Sequence, residues 1–264
     1  MTQVCVIFGA GEYYAGTPVV PAGAYVIAAD GGLDHTRQLG IVPDVVVGDF
    51  DSLEGRPPRT DVRTIALPAL KDDPDMLSAL KVGWSAGCRE FHVYGGLGGR
   101  IDHTISGIQL MALLARHGAS GYLYGDGLIV TAITDGRLSF PAHPVPEDGR
   151  MVSAFSHSDV SLGVNEPGLK YELKDGTLTN TVVQGVSNEF RDGVDAAISV
   201  EHGTLIVTFP IEVALPQVSR FHEFGGDIGE LDTAVPRRCV ERRMPQAGPG
   251  PAATLALFGG VPPS

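Results

Sequence analysis

Short apolar runs alternate with amphipathic stretches in the first half of the chain. Runs rich in β-branched and aromatic residues predict six strands, at residues 4–8, 25–30, 44–50, 62–67, 91–96 and 121–126. Strands that alternate with helices favour an α/β domain with a mostly parallel, Rossmann-like sheet. We place this domain at residues 1–127.

Two helices between these strands have recognisable signals. One is predicted to begin with Asp73 as its N-cap and Pro74 at its first helical position. The other is predicted in the stretch RIDHTISGIQLMALLARHG, where Gly118 can end the helix. Its expected apolar face, at helical spacing, consists of Ile101, Ile105, Ile108 and Ala112.

The helical pattern disappears after about residue 128. Strand-like runs follow at residues 128–134, 137–140, 151–157, 160–164, 169–180 and 196–209. Asp-Gly and His-Gly pairs between them predict turns. We therefore expect an all-β sandwich domain over residues 128–215. Residues 216–264, rich in Pro, Gly and Ala towards their end, form a C-terminal extension to which the pattern assigns no structure.

Composition narrows the possible partners. The 264 residues are 43% hydrophobic, which suits globular domains, and the net charge of −12 argues against a nucleic-acid partner. No apolar run approaches the length of a membrane span, and the N-terminus does not resemble a signal peptide. We expect a cytoplasmic protein that has no membrane partner. The three cysteines lack metal-site spacing and are expected to be reduced.

Carboxylates concentrate where the predicted parallel strands end. Asp49 and Asp51 directly follow three valines, and two like charges that close call for a cation, a proton or water. Carboxylates with few histidines nearby suit Mg²⁺ shared with substrate phosphates. The charged residues at these strand ends, which should share one edge of the sheet, are Asp30, Asp49, Asp51, Lys71, Asp72, Asp73, Asp75, Arg100 and Asp102.

Other nucleotide motifs fit less well. The first strand and its GAG turn, followed by Asp30, imitate a dinucleotide fingerprint, but Tyr14 occupies the place of a required small residue. The four lysines of the chain exclude a P-loop. His35, His92 and His117 have no ligand spacing and are expected to be structural or exposed.

The segments AADGG, GIVPDVVVGDFDSL, KDDPDMLSAL and GGLGGRIDHT together resemble the catalytic domain of thiamine pyrophosphokinases. GLKYEL (168–173) and GVSNEF (185–190) resemble the thiamin-binding domain of that family. The resemblance runs in the family's order over roughly residues 4–210. Pro74 departs from it, because the family usually has Thr there. The tail after about residue 211 has no recognised counterpart.

The resemblance implies transfer of a pyrophosphoryl group from ATP, as co-substrate, to the hydroxyl of thiamine, with release of AMP. It implies a homodimer whose active sites are shared between chains. The implied catalytic and Mg²⁺-binding residues are Asp49, Asp51 and Asp75. The implied ATP-binding residues are Asp30, Lys71, Asp72, Arg100, Asp102 and His103. The implied thiamine-binding residues are Tyr171, Ser187 and Asn188.

Three alternatives stay open at this point. A pyrophosphokinase for another hydroxymethyl heterocycle, such as a pterin, would share the catalytic half. A metal-dependent phosphohydrolase would use the same aspartates without an acceptor. A non-catalytic sensor of thiamine or nucleotide would need no complete metal set.

Overall fold

The computed structural model describes residues 3–14, 16, 18–49, 62–68, 73–146 and 150–233. Six parallel strands form one side of the sheet, in the spatial order β4-β3-β2-β1-β5-β6. They are β1 (Gln3–Phe8), β2 (Tyr25–Ala29), β3 (Val45–Gly48), β4 (Arg63–Ala66), β5 (Cys88–Tyr94) and β6 (Ser120–Tyr124). All six strands predicted for this half are therefore present.

Strand order creates a crevice next to β1. The chain runs from β1 outwards through β2, β3 and β4, then returns to place β5 on the other side of β1. The connections from β1 and β5 lead to opposite sides of the sheet, and this arrangement allows a crevice at the carboxyl ends of the two strands. Three helices accompany these strands, α1 (Gly32–Gln38), α2 (Asp75–Ser85) and α3 (Ile101–Arg116).

Helix α2 begins one residue later than predicted. Pro74 has an extended ψ of 149° and is the N-cap, while its carbonyl accepts the first helical hydrogen bond, from the Ser78 N–H at 3.1 Å. The assignment of Asp73 as N-cap is therefore wrong. The Asp73 carboxylate lies instead 2.5 Å from the Lys81 ammonium, two turns along the helix.

Helix α3 buries only the second half of the predicted face, where Ala112 is buried and Ile108 packs against the core. Ile101 and Ile105 are 72% and 51% exposed, because the helix becomes buried only from Gly107 onwards. Its buried residues are Gly107, Leu110, Met111, Ala112, Leu114 and Ala115. The predicted end is confirmed. Gly118 has a φ of 75°, and two backbone hydrogen bonds from Gly118 and Ala119 close a Schellman motif.

The described residues of the second half form strands and no helix, and they continue the same sheet. Its first strand pairs antiparallel with β6, so the sheet is mixed. The strands are β7 (Leu128–Phe140), β8 (Met151–Ser156), β9 (Val160–Val164), β10 (Gly176–Thr179), β11 (Asn188–Glu189), β12 (Ala196–Pro210) and β13 (Gln217–Arg220). A second hydrophobic core, separate from the one under the helices, includes Phe140, Phe190 and Phe209.

Two predicted turns are wrong. Asp135-Gly136 and His202-Gly203 lie inside β7 and β12, which pair over their full lengths. The register shifts between Val200 and Thr204, and the Gly203 N–H donates to Asp135 Oδ1 at 2.8 Å. These two pairs therefore mark an irregularity in two long strands rather than turns. The predicted runs 128–134 and 137–140 are one strand, while the single run predicted at 196–209 matches β12.

Part of the C-terminal extension is structured. β13 pairs with the second half of β7, and the chain then crosses to the helical side of the sheet. There Ile228 is buried in the core under α2 and α3, and Leu231 packs against the same core. Residues 234–264 lie outside the described residues. In the described part of the chain, no helix has both the length and the apolar character needed to cross a membrane.

Candidate active site

A cavity of about 950 Å³ opens at the carboxyl ends of the parallel strands. Its walls come from the loops after β1, β2 and β5 and from the first residues of α2 and α3. Four residues predicted from the sequence line it together, namely Asp30, Asp75, Arg100 and His103. Residues separated by up to 73 positions in the sequence therefore meet at the crevice beside β1.

Glycines bring two of these loops into backbone contact. The Gly9 N–H donates to the Tyr94 carbonyl at 2.8 Å, and the Gly11 N–H donates to the Gly95 carbonyl at 2.9 Å. A Cβ added at Gly11 would lie 2.5 Å from the Gly95 oxygen, so no larger residue fits there. The cavity wall is thus mostly backbone at this point, which lets a large polar ligand approach closely.

The acidic wall depends on a close approach of two strand ends. Asp30 adopts a left-handed φ of 47°, and its N–H donates to the Val47 carbonyl at 2.8 Å. A Cβ at Gly48 would lie 3.1 Å from the Asp30 Cα, so glycine permits this contact. Asp49 follows directly, at the same edge of the sheet, but it is not among the residues that line the cavity.

Arg100 and Asp102 form a forked ion pair at the start of α3. Arg100 donates from Nε to Oδ1 at 3.1 Å and from a terminal nitrogen to Oδ2 at 2.5 Å. Both side chains are exposed, and the Arg100 guanidinium lowers the pKa of the Asp102 carboxyl. Arg100 and His103 line the cavity, whereas Asp102 stands behind Arg100 and fixes its orientation.

The structure adds cavity residues that the sequence analysis missed. Tyr13 stacks on His35 with ring centroids 3.9 Å apart, and its hydroxyl donates to the Gly9 carbonyl at 3.0 Å. Burial lowers the pKa of His35, so the neutral ring is favoured. Glu12, Tyr14 and Ser106 also line the cavity. The available signal was the polar and aromatic sequence EYY, placed directly after a strand and a glycine turn.

The residues assigned to thiamine lie elsewhere in the chain. None of Tyr171, Ser187 and Asn188 lines the cavity. Tyr171 is 62% exposed, with the Lys170 ammonium 5.3 Å from its ring centroid. Ser187 is exposed and has a left-handed φ of 59°, which is costly for a serine. Its N–H donates to Ser153 Oγ at 3.0 Å.

Asn188 is buried and its amide is engaged within the chain. Its Oδ1 accepts from the N–H groups of Tyr171 and Glu189, at 3.0 and 2.9 Å. Its Nδ2 donates to the Tyr171 carbonyl at 2.8 Å and to Glu166 Oε2 at 2.9 Å. Asn188 thus holds the segment around Tyr171 against the segment around Ser187.

Three predicted site residues lie outside the described residues, namely Asp51, Lys71 and Asp72. Among the residues that are described, no group of three His, Cys, Asp or Glu side chains is close enough to bind a metal ion. Two of the carboxylates predicted from the sequence, Asp30 and Asp75, do share the cavity wall with Glu12. Mg²⁺ commonly binds one or two protein carboxylates together with substrate phosphates, so these donors fit a nucleotide-bound magnesium ion.

Part of the first half of the chain resembles a known family. Residues 19–123 match the family described as thiamin pyrophosphokinase, catalytic domain. This part of the chain is therefore similar to the catalytic domain of that family. The match includes β2 to β6 and all three helices, and therefore the acidic edge of the sheet. Among curated protein sequences, none matches the chain.

Solved structures extend the likeness to the second half. The thiamine pyrophosphokinase of Bacillus subtilis is 21% identical, with a TM-score of 0.69, over 80% of this chain and 100% of that one. That of Geobacillus thermodenitrificans is 21% identical, with a TM-score of 0.67, over 81% and 100%. The Candida albicans thiamin pyrophosphokinase is 12% identical, with a TM-score of 0.63, over 80% and 90%. At these identities the likeness shows a common fold.

Proposed function

We propose that the protein transfers the pyrophosphoryl group of ATP to the hydroxyl of thiamine, giving thiamine diphosphate and AMP. One observation carries the proposal. The part of the chain that matches the thiamin pyrophosphokinase catalytic domain contributes Asp30, Asp75, Arg100 and His103 to a cavity large enough for a nucleotide. In this assignment, the Rossmann-like half binds ATP and the β-sandwich half binds the acceptor.

ATP would enter the cavity with its phosphates towards the charged wall. The forked pair with Asp102 orders the Arg100 guanidinium before ATP binds. Less side-chain entropy is therefore lost when the guanidinium binds phosphate oxygens. The backbone contact between the Gly9–Gly11 turn and Gly95 leaves room for the phosphate chain. Lys71 and Asp72 are expected to add contacts from a segment outside the described residues.

Magnesium would be held by Asp75, Asp49 and Asp51, with Asp30 beside them. When bound, the ion would neutralise the triphosphate and favour attack at the β-phosphorus. The protein's own residues bind and orient the nucleotide. Because phosphoryl transfer depends mostly on positioning and charge neutralisation, an acidic wall with one fixed guanidinium is a suitable arrangement.

The acceptor would bind against the exposed segment around Tyr171. The thiazolium ring of thiamine carries a positive charge that can stack on the tyrosine face away from Lys170. Ser187 can offer its exposed hydroxyl, and its left-handed backbone is the kind of strain found at binding sites. Asn188, engaged within the chain, would support this surface from behind.

A homodimer with shared active sites follows from this placement. Tyr171 and Ser187 do not line the cavity of their own chain, so a partner chain would bring them to it. Exposed apolar side chains surround the acceptor segment and favour burial against a second copy. They are Met151, Phe155, Val182, Val183 and Val186. The cytoplasmic location is retained as a prediction from the sequence.

Product analysis tests the reaction. The purified protein is incubated with ATP, Mg²⁺ and thiamine, and the nucleotide and thiamine products are separated by chromatography. AMP and thiamine diphosphate in equal amounts are expected. ADP with thiamine monophosphate would indicate a simple kinase, AMP formation independent of thiamine would indicate a hydrolase, and activity only with a pterin alcohol would indicate the other pyrophosphokinase.

A further inference from the structure

A buried carboxyl lies under the proposed acceptor surface. Glu166 follows β9 and is only 3% exposed, although it carries an ionisable group. Its backbone N–H donates to the Leu173 carbonyl at 2.9 Å, which fixes it beneath the loop that carries Tyr171. Its Oε1 is buried without a hydrogen-bond partner among the described residues. Burial raises the pKa of this carboxyl.

The other oxygen of Glu166 is hydrogen-bonded. Glu166 Oε2 accepts a hydrogen bond from Asn188 Nδ2 at 2.9 Å. The same Nδ2 group donates its second hydrogen to the Tyr171 carbonyl, and Asn188 Oδ1 accepts from the Tyr171 and Glu189 N–H groups. Glu166 therefore completes the hydrogen bonding of the residue that joins the two acceptor segments.

The Glu166 contact also reinforces the orientation of the Asn188 amide, which three hydrogen bonds to the backbone favour as well. A flipped amide would turn its NH₂ group towards the two N–H donors of Tyr171 and Glu189 and its oxygen towards the Tyr171 carbonyl. The Glu166 oxygen opposes this flip, because it accepts a hydrogen bond from the Asn188 NH₂ group and the flipped amide would no longer present that group to it. The loop has other ties, such as the exposed Lys170–Glu189 ion pair, but these do not touch the amide.

We propose that Glu166 is a positioning residue for the acceptor, acting through Asn188 on Tyr171 and Ser187. This inference rests on the proposed function, because it assumes that these two residues bind thiamine. Glu166 orients the Asn188 amide, and the amide holds the N–H and the carbonyl of Tyr171. Ser187 is positioned as well, because it directly precedes Asn188 in the chain. None of these residues lines the cavity of the same chain, so we expect ATP binding to be independent of this contact.

Two substitutions distinguish the effect of the Glu166 hydrogen bond from the effect of the volume that its side chain fills. Glu166→Gln keeps an accepting oxygen, whereas Glu166→Leu keeps the bulk and removes it. We expect KM for thiamine to rise about tenfold or more in the Leu variant and to stay within roughly threefold in the Gln variant. KM for ATP and kcat are expected to stay within about threefold in both.

Thr134→Val is a matched control in the same half of the protein. It removes a buried hydrogen bond of 2.8 Å between Thr134 and Thr204, far from the acceptor loop in the hydrogen-bond network. Its KM for thiamine should be unchanged, even if its melting temperature falls as far as that of the Leu variant. If the Leu variant does not fold, Asn188→Asp removes the same bond from the other side, together with the bond from Asn188 Nδ2 to the Tyr171 carbonyl.

Amide hydrogen exchange gives a readout that does not depend on catalysis. The N–H groups of Tyr171 and Glu189 should exchange faster in Glu166→Leu, and at wild-type rates in Glu166→Gln and Thr134→Val. Unchanged exchange in the Leu variant, or equal thiamine KM in the Gln and Leu variants, would overturn the proposal. If the wild type shows no thiamine-dependent AMP formation, the reaction assignment fails, while the exchange data still decide whether Glu166 orders the loop.

Discussion

Asp75 is half-buried at the first residue of α2 and lines the cavity, so its charge can be removed without opening the hydrophobic core. We expect Asp75→Asn to lower kcat roughly a hundredfold or more, about 2.7 kcal/mol in the barrier. Stability should change by less than about 1 kcal/mol, the range of a carboxylate's interaction with a helix N-terminus. Product formation and urea unfolding measure the two effects.

The control for Asp75 is Glu201→Gln, which removes a carboxylate charge from an exposed position on β12. It should retain wild-type turnover. Near-wild-type turnover in Asp75→Asn would remove Asp75 from the catalytic set.

Gly98 tests the loop after β5. Its φ is 82°, and an added Cβ would collide with the Tyr14 hydroxyl and lie 3.0 Å from Glu12 Oε2, both in the cavity wall. We expect Gly98→Ala to raise KM for ATP about tenfold. Gly127→Ala is the matched control, because Gly127 also has a positive φ, of 67°, but has nothing within 4 Å.

Both glycine variants should lose about 1–2 kcal/mol of stability from backbone strain, measured by denaturant unfolding. Only Gly98→Ala should weaken ATP binding. An equal KM for ATP in the two variants would mean that this loop does not shape the nucleotide site. Both glycines thus permit a positive φ, but only the absence of a side chain at Gly98 also leaves space for the neighbouring side chains of the cavity wall.

At the scale of the element, the start of α2 decides how Asp75 is presented. Pro74 is the N-cap and has no side-chain capping bond. Pro74→Thr, which restores the usual family residue, can add a capping bond of about 0.5–2 kcal/mol and loses about 0.4–1 kcal/mol of proline rigidity. These effects nearly cancel, so we expect little change in melting temperature and less than about a tenfold change in kcat.

Steady-state kinetics and thermal unfolding of Pro74→Thr check this expectation. A larger change in kcat at unchanged stability would assign the threonine hydroxyl a direct role in the reaction. The same variant with Asp75→Asn added should be as inactive as Asp75→Asn alone, because the aspartate supplies the function in either background.

At the scale of the molecule, the division of the site between two chains can be tested by mixing inactive variants. Asp75→Ala damages the cavity and Tyr171→Ala/Ser187→Ala damages the acceptor surface. Asn188 is left unchanged because it holds the loop together. If dimers form at random, half are mixed and each has one intact site, so about a quarter of wild-type activity should return. No recovery after verified subunit exchange would reject the shared site.

The sequence by itself determined the class and order of the elements in the first half, because each buried parallel strand is an apolar run bounded by turn residues. Helix faces were less predictable. Ile101 and Ile105 have helical spacing, but α3 extends beyond the core at that end, and burial depends on what the sheet places opposite. The Asp-Gly and His-Gly pairs were misread because a turn and an irregularity in a long strand use the same residues.

The candidate site also has features that the sequence predicted and features that only the tertiary structure decided. The spacing of carboxylates along the chain, together with the family resemblance, predicted a likeness to the thiamin pyrophosphokinase catalytic domain, and residues 19–123 match that family. Only the tertiary structure placed Tyr13 and His35 in the cavity wall and bound Asn188 to Glu166. Motif residues can be recognised from the sequence, because their type and spacing follow from the chemistry of the site. Stacking and buried hydrogen bonds depend on which distant segments the sheet order brings together, and that order is a property of the whole chain.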